Sequence, residues 1–311
     1  MRALLRDDTA GDPMGRRGVW TGKRLRAISR ELAQLGLRVC PNTVRRLLAE
    51  LGYALHANRK SLCSSHPQRN EQFAYLNYQR QQFSQEGYPI ISVDSKKKEL
   101  VGRFKNNGRV WGRAPIVVQD HDFRSEAKGL ATPYGIYDLS ANRATVVVGT
   151  SHDTPDFAVD AICQWWRQDG CRRYPVAPEL LILADSGGSN GPRCRAWKLA
   201  LQEKLADAFG LAVTVCHYPT GASKWNPVEH RVFSEISKHW AGQPLSDYPT
   251  IVRLIGETNT RTGLRVASTL CTKFYPTQVH ISDAQIKHVD LLKHPTLPEW
   301  NYTLLPRTTR N

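Results

Sequence analysis

Three carboxylates stand out by where they fall in the chain: Asp94, Asp185 and Glu229. Asp94 follows the apolar run Tyr88-Pro89-Ile90-Ile91-Ser92-Val93, and Asp185 follows Leu180-Leu181-Ile182-Leu183-Ala184. Each run reads as a buried strand that delivers an aspartate. Glu229 falls in the first turn of a helix opening near Asn226-Pro227. With Phe233, Ile236 and Trp240 it keeps the spacing of one helix face, so it points with the apolar stripe. A carboxylate facing inward needs a partner, and a metal ion shared with two aspartates would supply one. Phosphodiester cleavage needs such a centre. Two Mg²⁺ ions about 3.5–4 Å apart stabilise the attacking and leaving oxygens, and Mg²⁺ takes few, hard oxygen ligands. Two Asp and a Glu suit that chemistry without a His base. Plainer roles stay open: Asp94 paired with nearby lysines, Asp185 starting a turn, Glu229 closing a capping box with Asn226.

Placing these groups takes a sheet and helices. Tyr134 to Asp138 and Ala144 to Gly149, around a Ser-Ala-Asn turn, read as a hairpin. Thr154-Pro155 is an N-cap with proline at the first helical position. A helix from about Arg193 to Phe209 stops at Gly210, and Leu211 to Cys216 is a further strand. The order strand–hairpin–helix–strand–helix–strand–helix implies an α/β domain, a mixed sheet flanked by helices, with its site at the strand ends. Lys96, Lys97 and Lys98 follow the first aspartate and are candidate phosphate ligands. Gly187, Gly188 and Gly191 would let backbone approach DNA. Trp225 and Lys224, in the loop before Glu229, are candidate DNA contacts, as are Arg261 and Arg265 further on. Trp165, Trp166, Trp197 and Trp240 read as core. His152-Asp153 is ascribed to the start of a helix, and His230 points about 100° away from Glu229.

The 311 residues are 41% hydrophobic and 23% charged, which excludes wholesale disorder and suggests about two domains. Lys plus Arg number 43 against 28 Asp plus Glu, a net charge of +15. Such an excess points to a polyanionic partner, most often nucleic acid. Residues 16–60 hold eleven basic and two acidic residues, 11 − 2 = +9. Leu25, Ile28, Leu32 and Leu35 share one helix face ending at Gly36. Pro41-Asn42-Thr43 opens a second helix, with Val44, Leu47, Leu48 and Leu51 on one side, Gly52 as its stop, and Arg45 and Arg46 projecting. The pair reads as a helix-turn-helix whose second helix enters the major groove. A polar helix from 66 to 86 reads as a linker. The expected boundaries are 1–62 for DNA binding, 63–87 for the linker, 88–245 for the α/β domain and 246–311 for a C-terminal extension. No apolar run approaches the ~18 residues of a membrane span. The seven cysteines are widely spaced with no CxxC, which suits reduced cytosolic thiols.

Several stretches together resemble the ISAzo13-family insertion-sequence transposases. They are Val93-Asp94-Ser95-Lys96-Lys97-Lys98-Glu99-Leu100, Ser151-His152-Asp153-Thr154, Ala184-Asp185-Ser186-Gly187-Gly188-Ser189-Asn190-Gly191, Ser223-Lys224-Trp225-Asn226-Pro227-Val228-Glu229-His230-Arg231, Thr260-Arg261-Thr262-Gly263-Leu264 and Trp300-Asn301-Tyr302. The resemblance runs from about residue 10 to the C-terminus. It implies a DDE transposase with an RNase H-like catalytic domain that cleaves and joins DNA strands. It also implies Asp94, Asp185 and Glu229 as ligands of two Mg²⁺ ions, with Mn²⁺ as substitute. The implied partners are double-stranded DNA of the transposon ends and target, and further copies of the chain on that DNA, in the cytoplasm and without a membrane. The sequence departs from the family at its short N-terminus, where a further helix-turn-helix is implied. It departs again at Gly15-Arg16-Arg17-Gly18, and at Ser186, which replaces a glycine. The chain is accordingly read as N-terminally truncated, with an inactive remnant that only binds DNA as the alternative.

Overall fold

The computed structural model describes residues 9–10, 20–55, 67–222 and 225–307, with backbone alone at 9, 10 and 20. The chain divides into two compact units, Met1–Leu62 and Cys63–Asn311. No helix among the described residues is long and apolar enough to cross a membrane.

In the first unit, β1 (Thr9–Ala10) pairs antiparallel with β2 (Trp20–Thr21). Helices α1 (Leu25–Gln34) and α2 (Pro41–Glu50) follow. Gly36 and Gly52 end them in the left-handed region, at φ of 82° and 83°. Ile28, Leu32 and Val44 are buried between them, with Leu25, Val39 and Leu48 packed alongside. Leu35 is exposed rather than on the shared face, because the helix has already ended there. Arg45 and Arg46 are exposed, and Arg46 lies 3.7 Å from Glu50.

The second unit begins with α3 (Arg69–Gln85). Strands β3 (Ile90–Ser95), β4 (Glu99–Val101), β5 (Gly129–Asp138) and β6 (Arg143–Gly149) come next. Helix α4 (Pro155–Trp165) leads to β7 (Glu179–Ala184), α5 (Arg195–Leu201) to β8 (Ala212–His217). Helix α6 opens with a π-turn, Glu229–Phe233, and continues as Ser234–His239. Then come α7 (Tyr248–Gly256), β9 (Arg265–Cys271), α8 (Asp283–Ile286), β10 (Leu291–Lys293) and β11 (Asn301–Leu304).

The strands form one nine-stranded sheet in the order β10-β11-β8-β7-β3-β5-β6-β9, with β4 beside β5. β3, β5 and β6 are an antiparallel meander, and β7 and β8 continue parallel to β3. A three-stranded meander extended by two parallel strands, with helices on both faces, is an RNase H-like sheet. The segment set off as a C-terminal extension is built into it. β9 runs parallel to β6 at one edge, and β11 and β10 add antiparallel strands at the other. β9 is weakly apolar because it is an edge strand, half open to solvent.

Strand alternation sends Ile91 and Val93 into the core under α4 and α5. Ile90 packs on the other face with Leu76 and Phe83 of α3. The expected linker helix is therefore a layer of this unit. Its few buried residues, Gln72, Leu76 and Phe83, sit in a mostly polar sequence. Ser92 lies on that same face, under the start of α6. There the backbones approach closely: a methyl group at Gly135 of β5 would fall 2.6 Å from the Phe233 ring and 2.9 Å from Val228. Gly135 sits opposite Asp94 in the β3–β5 register, so this contact seats α6 directly over the first aspartate. Gly135→Ala should overpack the seat and lower stability by about 1–3 kcal/mol. A thermal midpoint equal to that of the wild type would show that α6 does not rest this closely on β5.

Candidate active site

Asp94 comes at the end of β3, the central strand, and Asp185 is the first residue after β7, its parallel neighbour. Both therefore stand at the same sheet edge. Glu229 is brought to that edge by the π-turn of α6. The mechanism of this delivery is a side-chain clamp. Ser92 donates its hydroxyl to the Asn226 Oδ1 and accepts the Val228 N–H at 3.1 Å. The Asn226 amide in turn donates to Asp94 Oδ2 at 3.3 Å. Asn226 thus spends its side chain on β3, and the capping box with Glu229 does not form. Only its carbonyl serves the helix, accepting the Glu229 N–H at 3.1 Å.

The three carboxyls feel one another. Asp94 is 8% exposed. Burial, then the charge of Asp185, then Glu229 push its carboxyl well above the usual range, against the Ser95 N–H that holds its Oδ1 at 2.7 Å. Burial raises Asp185 to about 6, with Glu229 and Asp153 adding to the rise and the Gly187 N–H opposing it. Among the described residues no three His, Cys, Asp or Glu side chains already converge on a point that an ion could fill. The donor chemistry nonetheless fits a hard divalent cation. The side chains offer only carboxylate oxygens, few in number, and Asp94 and Asp185 are raised by burial and by neighbouring negative charge.

A fourth carboxylate belongs to this neighbourhood. Asp153 accepts the Ser95 hydroxyl at 3.0 Å and raises the pKa of Asp185 by its charge. Its motif was ascribed to helix-start chemistry, and Thr154 does cap α4 through the Phe157 N–H. The two roles coexist on adjacent residues. Beneath the site, Tyr134 is fully buried and donates to Asn190 at 3.0 Å. His217 is also buried. Its Nδ1–H donates to the Asp185 carbonyl at 2.9 Å, and its Nε2 accepts from Tyr302, whose hydroxyl accepts the Trp197 N–H. Burial pushes the imidazole down to about 4, so it is neutral. Ser186, the departure from glycine, donates its hydroxyl to the Tyr218 carbonyl and ties the glycine-rich loop to the end of β8.

The basic residues divide. Lys96 is bound inward, to Glu99 at 2.5 Å and over the Trp240 ring at 4.6 Å, whereas Lys97 and Lys98 are exposed. Trp225 is 45% exposed, meets Phe73 at a tilt with centroids 5.5 Å apart, and carries the Arg69 guanidinium of α3 over its ring at 4.5 Å. Lys224 lies outside the described residues, and Arg45 and Arg46 are in the first unit. Ser92, Asn226, Asp153 and His217 were not singled out from the sequence as parts of the site. Ser92 breaks an apolar strand with a polar residue, and Asn226 stands at the head of the Glu229 helix. Those were the only signals.

The sheet is RNase H-like and carries Asp94 and Asp185 at its carboxyl edge. The chain belongs to the family described as Rhodopirellula transposase DDE domain, whose model matches residues 1–306. No curated protein matches it. Solved structures of similar fold include the Mos1 transposase paired-end complex with left transposon end, at 15% identity, covering 82% of this chain and 68% of that one with a TM-score of 0.44. The Mos1 mariner paired-end complexes with Mn and with Mg match at 14% identity over 82% of this chain, and 78% and 77% of theirs, with TM-scores of 0.43 and 0.44.

A carboxyl raised on folding binds protons more tightly in the native state, so stability falls as pH rises through the folded value. For Asp185 the loss runs from about pH 4 to above pH 6 and amounts to about 3 kcal/mol. In metal-free buffer Asp185→Asn should melt with the wild type near pH 4 and several degrees above it at pH 7.5. Mg²⁺ or Mn²⁺ should then close the gap by stabilising only the wild type. A gap that stays constant with pH would show that Asp185 titrates as a free carboxyl.

Proposed function

We propose that the protein is an insertion-sequence transposase that binds transposon-end DNA and catalyses strand cleavage and strand transfer through Asp94, Asp185 and Glu229. The observation that carries this reading is the placement of Asp94 and Asp185 at the carboxyl ends of two neighbouring parallel strands, with the helix that carries Glu229 clamped to the first of them through Ser92 and Asn226. Membership of a transposase DDE-domain family supports it. In this reading the three side chains hold two Mg²⁺ ions, with Mn²⁺ as a substitute. When bound, the ions activate a water or a 3′-hydroxyl and stabilise the leaving oxygen.

The chain's own groups prepare that centre. The Ser95 N–H and the Asn226 side-chain amide fix the two oxygens of Asp94. Such fixed donors keep the carboxylate from swinging away under repulsion. Lys97 and Lys98, exposed beside β3, meet the phosphates of the reacting strand, and Trp225, with Lys224 next to it in sequence, contributes further DNA contacts. The first unit contributes double-stranded DNA binding, with Arg45 and Arg46 on the major-groove helix. Two or more copies act together on a pair of ends.

The reading is tested with purified protein and labelled duplexes made from DNA flanking its own gene. Nicking and joining should require Mg²⁺ or Mn²⁺. Asp94→Asn, Asp185→Asn and Glu229→Gln should each lower the rate on the order of a thousandfold while leaving duplex binding intact. Binding without any cleavage by the wild type would favour a remnant that occupies DNA ends, and cleavage with no joined product would favour a hydrolytic nuclease.

A further inference from the structure

The motif Ser151-His152-Asp153 is fixed in place more firmly than a helix start requires. Ser151 accepts the Thr132 hydroxyl on its carbonyl at 3.2 Å and the Tyr275 N–H on its side chain at 3.0 Å. His152 donates its Nδ1–H to the Tyr275 carbonyl at 3.1 Å. These bonds hold the chain between the ends of β6 and β9. Asp153 faces the carboxylates through Ser95. His152 lines a separate cavity of about 320 Å³, whose other walls include Lys98, Arg124, Thr150 and Phe274.

Topology places this cavity at the catalytic edge of the sheet. β6 runs parallel to β3 across the antiparallel β5, and β9 runs parallel to β6. The carboxyl ends of β3, β7, β6 and β9 therefore share one edge. The cavity is one residue away from Asp153. Lys98 and Arg124 line this one cavity, and among the described residues neither has a carboxylate within ion-pair distance. Phe274 is 69% exposed and meets the His152 ring edge-on at 5.7 Å, which leaves a ring face open. Two uncompensated cations around an open aromatic face suit a phosphate and an unstacked base together. A duplex keeps its bases stacked on each other and offers none to such a face.

We propose that this cavity binds one nucleotide of a DNA strand that is unpaired beside the reacting phosphate, with its phosphate between Lys98 and Arg124 and its base on Phe274. The inference rests on the reading of the carboxylate edge as a DNA-processing site. It is tested without chemistry, on the full chain in metal-free buffer, by fluorescence anisotropy with two probes. One is a labelled oligothymidylate of about a dozen nucleotides, and the other is a blunt duplex of two annealed strands. Phe274→Ala should weaken binding of the single strand about tenfold and leave the duplex within twofold. Phe274→Trp should keep the single-strand affinity, since it keeps the aromatic face. The double variant Lys98→Ala/Arg124→Ala should reduce the salt slope of single-strand binding by about 0.7, the share of one phosphate. An unchanged single-strand affinity in Phe274→Ala, or an equal loss for both probes, would overturn the proposal. A chain that passes this test yet never nicks or joins DNA would overturn the catalytic reading and leave the pocket standing.

Discussion

Repulsion between carboxyl groups fixed at one sheet edge is the constraint that organises the second unit. Asp94 and Asp185 are largely buried and both are raised in pKa, so the native state works against them. Left on flexible segments, such groups would turn outward to water. Here they cannot. Asp94 lies at the end of the central strand, with one oxygen held by the next backbone N–H and the other by Asn226. Asn226 is itself locked to Ser92, two residues before Asp94 on the same face of β3. The helix that carries Glu229 is pressed down at Gly135, where only a hydrogen leaves room for Phe233. The unfavourable electrostatics of the site are thus carried by packing some distance from the charges.

The support under Asp185 comes from farther along the chain. A buried histidine must satisfy both ring nitrogens. His217 does so between the Asp185 carbonyl and Tyr302, a residue of β11. Beside it, Gln72 of α3 donates to the His217 carbonyl at 2.7 Å and exchanges hydrogen bonds with Asn301. Helix α3 and strand β11 come from opposite ends of this unit. They meet below the second aspartate and fix its backbone from the side away from solvent. The segment after residue 245 is therefore part of the scaffold of the site, and so is the helix before residue 87.

Much of this was legible in the sequence. The strands holding Asp94 and Asp185 are short apolar runs bounded by turn residues. The inward face of Glu229 followed from helical spacing. Those signals are local. The supporting set was not legible, because its members meet across large separations: Ser92 with Asn226, Ser95 with Asp153, Gln72 with Asn301. Periodicity carries no information about such pairs. Helix α3 read as a linker because its surface is polar nearly all round, while its burial depends on three residues. Strands β9 and β11 lacked a strong pattern for a related reason. One is an edge, and the other spends two of its four positions, Asn301 and Thr303, on hydrogen bonds rather than on apolar packing.

Charge then has to be weighed at two ranges. Far from the surface the chain presents its excess of fifteen positive charges, which draws a polyanion in. Close to Asp94 the sign reverses, because the charges of Asp185 and Glu229 reach it and that of Asp153 reaches Asp185. A phosphodiester arriving there is repelled over the last few ångströms unless positive charge is supplied locally. Lys96 cannot supply it, since Glu99 and the Trp240 ring already hold its ammonium. Lys97, Lys98 and Arg124 remain exposed around the rim and can bind phosphates there. They lie beside the carboxylates rather than among them. Within the cluster itself only a cation taken from solution can reverse the sign. In the proposed reading this makes phosphate contact at the scissile position depend on metal, while binding at the rim does not.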